Sequence, residues 1–253
     1  MKKLMFFLVG LLLISPGWAV DYDLLDSLLA KYTAETEVAS IRTVAVDYPG
    51  LKNESSFSEL ISQFERTDTS ELDSESAELA FWINAYNVFA IKLVLDHYPV
   101  TSIRDVGDVF HPFNQRTVAT IAGSSYSLDD IKHLVLRRRF EQPLIHTALC
   151  SASLSGPDLR RVAYRGQGIT AQLQEQLTAF LGNPQKGFLL DQENRTLYLA
   201  SFFTWDAEDF KKWGGIINFI AEFISAEARD FLNTNRYKVK YFDYNWDLNQ
   251  IKH

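Results

Sequence analysis

The 253-residue sequence carries 25 Lys and Arg against 32 Asp and Glu; setting aside Lys2 and Lys3 of its first segment leaves 23 against 32, a formal charge of minus nine. Such a surface lacks the concentrated positive charge that phosphate backbones require, which excludes nucleic acid as an expected partner. A chain of this length buries one substantial core, and its single cysteine, Cys150, can close no internal disulfide, so packing has to supply the stability.

Residues 1–19 have the form of a signal peptide: Lys2 and Lys3, an apolar stretch too short to span a bilayer, then Ser15, Pro16, Gly17, Trp18 and Ala19. Small residues at Gly17 and Ala19 put the expected cut after Ala19. The alternative is an uncleaved membrane anchor, against which the helix breakers Pro16 and Gly17 argue. The expectation is an exported protein, periplasmic or secreted, with one globular domain over residues 20–253 and no membrane span after cleavage.

Leu24, Leu25, Leu28 and Leu29 recur at helical spacing and predict an opening helix over residues 21–31. A second helix fits residues 57–64, with Leu60, Ile61 and Phe64 on its apolar face. Ser70 and Asp73 have capping-box spacing, and Ser74 offers a later cap. From Leu79 to Leu95 the chain is apolar apart from Asn84, Tyr86, Asn87 and Lys92, which predicts a helix buried nearly all round and central to the fold. Residues 117–121 and 125–128 flank Gly123 and Ser124 as a hairpin, and Ser127 with Asp130 caps the helix that follows.

That helix ends in Arg137, Arg138 and Arg139, read as a solvated terminus that suits the helix dipole rather than as an anion site. Further on come a strand over residues 144–149, a helix over 171–181, a hairpin of 188–190 with 196–199, helical segments within 206–232, and a strand over 238–242. The order predicts an α+β fold, a single domain with a central buried helix and small antiparallel hairpins.

Chemistry concentrates in few places. Asn84 and Asn87 share one face of an apolar helix, so each buried carboxamide needs a partner, either a loop backbone, water or a ligand. Residues 145–157 carry His146, Cys150, Ser151, Ser153 and Ser155. On an extended strand His146 and Cys150 would lie roughly 13 Å apart at about 3.3 Å per residue, too far for proton transfer. A reversal after Leu149 would instead return a serine to the ring. The competing reading is a hydrogen-bonded core histidine beside a polar loop. His97, His111, His133 and His253 show no paired ligand spacing, so neither metal nor cofactor is expected. Asp206 and Asp209, after Trp205, read as helix-start charges.

The run Ala80-Phe81-Trp82-Ile83-Asn84-Ala85-Tyr86-Asn87 resembles the signature of the domain of unknown function 547 family. Also similar to it are Val46-Asp47-Tyr48, Tyr98-Pro99, Leu128-Asp129-Asp130-Ile131 with His133, His146 with Ala148-Leu149, Trp205 with Asp209-Phe210, and Tyr244, Trp246, Leu248 and Asn249. The chain departs where the family pattern has cysteines, at Ser151 and Gly156, and has Lys132 where a glutamate is usual. If the family histidine and cysteine form a thiol-hydrolase pair, a hydroxyl has replaced the thiol here, and serine needs a better-placed base.

Two functions follow as expectations. One is a binding or scaffold domain that has lost the family cysteine and presents aromatics such as Tyr241, Tyr244 and Trp246 to a protein or small-molecule ligand, with Asn84, Asn87, Cys150 and Trp205 as binding or orienting residues. The other is a hydrolase or acyl-transfer enzyme acting on an amide or ester, with His146 as base, Ser151 as nucleophile and the two asparagine amides polarising a carbonyl.

Overall fold

The computed structural model describes residues 20–252, so the expected signal segment lies outside the described residues. At the centre is the helix Glu75–His97, which starts where Ser74 accepts a hydrogen bond from the Ala77 N–H at 3.1 Å. From Leu79 to Leu95 every residue except Lys92 is buried, because a helix that is apolar all round has no face to give to water. It is long and apolar enough to cross a bilayer, but 94% of that stretch is covered by the rest of the fold. The Ser70 and Asp73 box does not form. Asp68 caps a short turn over Thr69–Glu71 instead, taking the Ser70 hydroxyl at 2.6 Å.

The helices Tyr22–Tyr32 and Ser55–Arg66 pack around this centre, burying Leu25, Leu28 and Leu29 from the first and Phe57, Leu60 and Phe64 from the second. Phe64 sets its ring 5.3 Å from that of Phe81 on the central helix. Between them lies an antiparallel hairpin, Thr33–Val38 with Ile41–Val46, that was not anticipated. Its turn is made by Ala39 and Ser40 with φ of 49° and 63°, residues that carry none of the usual Asn or Gly signal, and its outer strand exposes Glu35, Thr36 and Glu37.

The hairpin of Thr117–Ile121 and Ser124–Ser127 forms as expected, turned through Ala122 and Gly123. A second one, Phe188–Asp191 with Thr196–Leu199, gains Lys238–Tyr241 as a parallel edge strand. The strand expected over residues 144–149 is instead a 3-10 helix, Pro143–Thr147. Pro143 supplies the preset φ of a first helical position, and the Gln142 side chain accepts from the Leu144 N–H at 3.3 Å. A short apolar run carries no period that separates the two forms.

The C-terminal tail fastens separate loops to one another. Asn249 C=O accepts from Val46 N–H at 2.7 Å, Asp247 C=O from Leu154 N–H at 2.9 Å and Trp246 C=O from Ile103 N–H at 3.2 Å. Tyr244 and Trp246 are consequently half-buried and do not form the exposed patch expected of them; Tyr241 stays 40% exposed. The result is an α+β fold whose main apolar core takes members from Leu25 through Leu248.

Candidate functional site

The polar wall of the site begins at a helix cap. Ser127 donates its hydroxyl to Asp130 at 2.7 Å and accepts the Asp130 N–H at 3.1 Å, the reciprocal pairing expected from the sequence. The turns that follow are wider than an α-helix: Asp130–Leu136 is π-helical and passes into the α-turn Arg137–Phe140. Such insertions re-aim side chains and recur at functional sites. Here Asp129, Lys132, His133 and Arg137 line one cleft of about 300 Å³.

Arg137 therefore is not the solvated helix end read from the sequence. Its guanidinium forks onto Asp209, Nε to Oδ2 and Nη2 to Oδ1, both at 2.6 Å. Arg138 and Arg139 are exposed, and Arg139 pairs with Glu78. Arg137 Nη1 also meets His133 Nδ1 at 2.7 Å. A guanidinium has only donors, so Nδ1 accepts and the His133 ring proton sits on Nε2.

His146 lies in the buried floor, its ring 5.7 Å from that of Phe210 and 6.3 Å from that of Phe202. Nε2 meets Asp209 Oδ2 at 2.8 Å. Nδ1 lies 3.2 Å from Asp206 Oδ2, an ion-pair distance without the alignment of a hydrogen bond. Lys132 Nζ holds that same Asp206 oxygen at 2.8 Å. Burial raises the cost of ionising both carboxyls, but His146 with Lys132 at Asp206, and His146 with Arg137 at Asp209, more than offset it and hold both well below the usual carboxylate range. Asp206 stands at the N-cap and Asp209 in the first turn of the helix Ala207–Trp213, the helix-start positions expected, but the Asp206 side chain makes no capping hydrogen bond and both carboxylates are also partners of the buried ring.

His146, Asp206 and Asp209 offer ligand atoms within 4.8 Å of one another. The set suits a resident divalent ion poorly: Lys132 and Arg137 already neutralise the two carboxylates at 2.8 and 2.6 Å, and an added dication would face both cations.

Past Leu149 the chain bends through Ala152 at φ 58°, and Ser151 lines the same cleft as His146. The two are not hydrogen-bonded. Ser151 Oγ lies 3.1 Å from Ser153 Oγ and 3.4 Å from the Tyr244 hydroxyl, and Ser153 and Tyr244 meet at 2.7 Å. Asn84 and Asn87 fix loops from behind. Asn84 donates to Tyr164 C=O at 2.7 Å and accepts its N–H at 2.9 Å, while Asn87 donates to Ala148 C=O at 2.9 Å and accepts from Cys150 N–H at 2.8 Å. Each amide ties a loop backbone through both its oxygen and its nitrogen, as the loop-tying reading expects, and neither lines the cleft of His146 where it would have to polarise a carbonyl. Asn87 does orient the segment between His146 and Ser151. Cys150 is buried outside the cleft, 3.7 Å from Asn249 Nδ2, and burial pushes its thiol up to about 11.

Trp205 lines the cleft and is 53% exposed. It lies parallel to Trp246 with centroids 5.8 Å apart at 10°, and Tyr244 wedges against both at 4.9 and 4.3 Å. The cleft thus sets an aromatic surface beside a network of paired charges. A larger groove of about 700 Å³ lies along the hairpin strand Ile41–Val46 and the helix Ile169–Leu181. Beneath it Lys186 is fully paired with Asp158, Thr43 and Leu154 C=O, a structural tie.

Sequence reasoning missed Asp206, Asp209, Lys132, His133 and Arg137 as site residues. The family resemblance had touched Lys132, His133 and Asp209 without giving them a role. No curated protein and no solved structure matches the chain. Residues 69–181 match a family model, and this segment contains the central helix, the π-helical turns, His146 and Ser151 but ends before Trp205, Asp206 and Asp209. That segment of the chain is similar to the family described as protein of unknown function, DUF547.

Proposed function

We propose that this chain is an exported, non-catalytic ligand-binding domain whose cleft takes a small molecule against Trp205. The observation that carries the reading is the engagement of His146: both ring nitrogens face carboxylates, and Ser151 finds its partners in Ser153 and Tyr244. Nε2 is taken by Asp209, Nδ1 is turned toward Asp206, and no serine hydroxyl is hydrogen-bonded to either nitrogen, so the ring is not placed to take a proton from Ser151. Trp205 gives the cleft a large, rigid and half-exposed contact surface, the kind of group that supplies binding area at small entropic cost.

The test installs the family residue. In a Cys150→Ser background, Ser151→Cys is expected to react with an alkylating reagent no faster than an ordinary free cysteine, and His146→Ala leaves the rate unchanged. A fast reaction that depends on His146 favours the second reading, a hydrolase or acyl-transfer enzyme, which one observation supports: His146 and Ser151 line the same cleft. Export itself rests on the sequence of residues 1–19, and intact mass of exported material is expected to begin at Val20.

A further inference from the structure

The cations of the cleft are already committed among the described residues. Lys132 is held by Asp206, Arg137 by Asp209, and the His133 Nδ1 by Arg137. A phosphate or carboxylate ligand would have to displace one of these pairs, and an extra cation would meet Lys132 and Arg137. The cleft suits a neutral ligand. One gap in its polar wall has a specific chemistry. His133 Nε2, which carries the ring proton, lies 3.7 Å from Asp129 Oδ1, too far for a hydrogen bond, and both side chains are partly exposed at 40% and 29%. Asp129 is fixed by Asn114 Nδ2, which donates to Oδ1 at 2.7 Å, and the carboxylate keeps further lone pairs free. A group that spans this gap must accept from Nε2–H and donate to a carboxylate through one atom, which is what a hydroxyl does.

The second requirement comes from Trp205. Its half-exposed ring offers a flat apolar face within the same cleft. We propose that the cleft binds a neutral, hydroxyl-rich ring of the carbohydrate class, with one hydroxyl bridging His133 Nε2–H and Asp129 and the C–H face of the sugar laid on Trp205. The proposal rests on the ligand-binding reading and names its ligand. A planar aromatic ligand would use Trp205 but leave the His133 and Asp129 gap unbridged.

The test titrates the chain lacking residues 1–19 with maltose, cellobiose and diacetylchitobiose, following tryptophan fluorescence and calorimetry, with adenine and a hexose phosphate as contrasting probes. At least one neutral disaccharide is expected to saturate. Trp205→Ala and His133→Ala each weaken it by about tenfold or more, whereas Trp205→Phe keeps most of the affinity. Trp205 and His133 are both partly exposed, and circular dichroism checks that the variants remain folded. Absence of binding by every disaccharide overturns the proposal, as does binding that survives in both alanine variants. Binding of adenine or the hexose phosphate instead, lost in Trp205→Ala, overturns the carbohydrate assignment while leaving the ligand-binding cleft standing. A fast His146-dependent thiol in Ser151→Cys overturns both.

Discussion

Arg137 holds Asp209 by two bonds of 2.6 Å, and the Oδ2 that receives its Nε is the same oxygen that meets His146 Nε2 at 2.8 Å. One guanidinium therefore fixes the carboxylate that fixes the buried ring. Arg137→Ala leaves that carboxylate without its fork and is expected to cost about 1.5–3 kcal/mol in urea denaturation. Arg137→Lys keeps the charge but not the bidentate geometry and recovers only part of this. Exposed Arg138→Ala changes stability by less than about 0.5 kcal/mol. Equal effects at the two arginines would contradict the structure.

Acid should dismantle the same network. The carboxyls of Asp206 and Asp209 are depressed in the folded state, since His146, Lys132 and Arg137 outweigh the opposing effect of burial. A depressed carboxyl contributes stability that is fully present above its unfolded pKa and is lost as pH falls toward the folded value. Urea midpoints at constant ionic strength are expected to fall as pH drops below about 4. Asp206→Asn removes one of the two groups and makes the acid limb shallower; an unchanged slope would show that Asp206 is not ionised in the fold.

Asn84 was expected to be buried and hydrogen-bonded, and it closes a two-bond ring with the backbone of Tyr164. Asn84→Leu leaves that N–H and C=O unpaired in the core. The expected cost is about 1–3 kcal/mol, with faster amide exchange at Tyr164. Unchanged exchange there would show that the backbone does not depend on Asn84.

Ser151 and Gly156, the two positions at which the family resemblance led one to expect cysteine, are neighbours in space. A Cβ added at Gly156 would lie 3.3 Å from Ser151 Oγ, with Ser153 Oγ and the Tyr244 hydroxyl at 2.9 and 3.1 Å needing to give slightly. In a Cys150→Ser background, Ser151→Cys with Gly156→Cys is expected to close a disulfide under mild oxidation, read as the loss of two hydrogens in intact mass. Two thiols that both remain free to alkylation would show that the positions do not meet. Bond formation shows that a thiol at each position could meet where Ser151, Ser153 and Tyr244 now make hydroxyl contacts.

Much of the scaffold was legible because its signals are local. The run from Leu79 to Leu95 has no polar face, so burial on all sides followed from composition, and the spacing of Asn84 and Asn87 required buried partners. Ser127 and Asp130 stand three apart, and the cap formed. The hairpin at Ala39 and Ser40 was hidden because its turn lacks the residues that favour positive φ, and the helix Pro143–Thr147 because a short buried run looks the same in either form.

What the sequence by itself determined is the α+β class, the central helix and the set of polar residues that could not stay unpaired. Tertiary structure alone decided the partners. His146 meets Asp209 across 63 positions of chain and Lys132 meets Asp206 across 74. The π-helical turns aim Lys132, His133 and Arg137 into one cleft, although three consecutive arginines read as a solvated helix end. Charge pairing acts through space at a few ångströms and leaves no period along the chain, so the ring that looked like a base beside a serine is held between two carboxylates that the sequence places far from it.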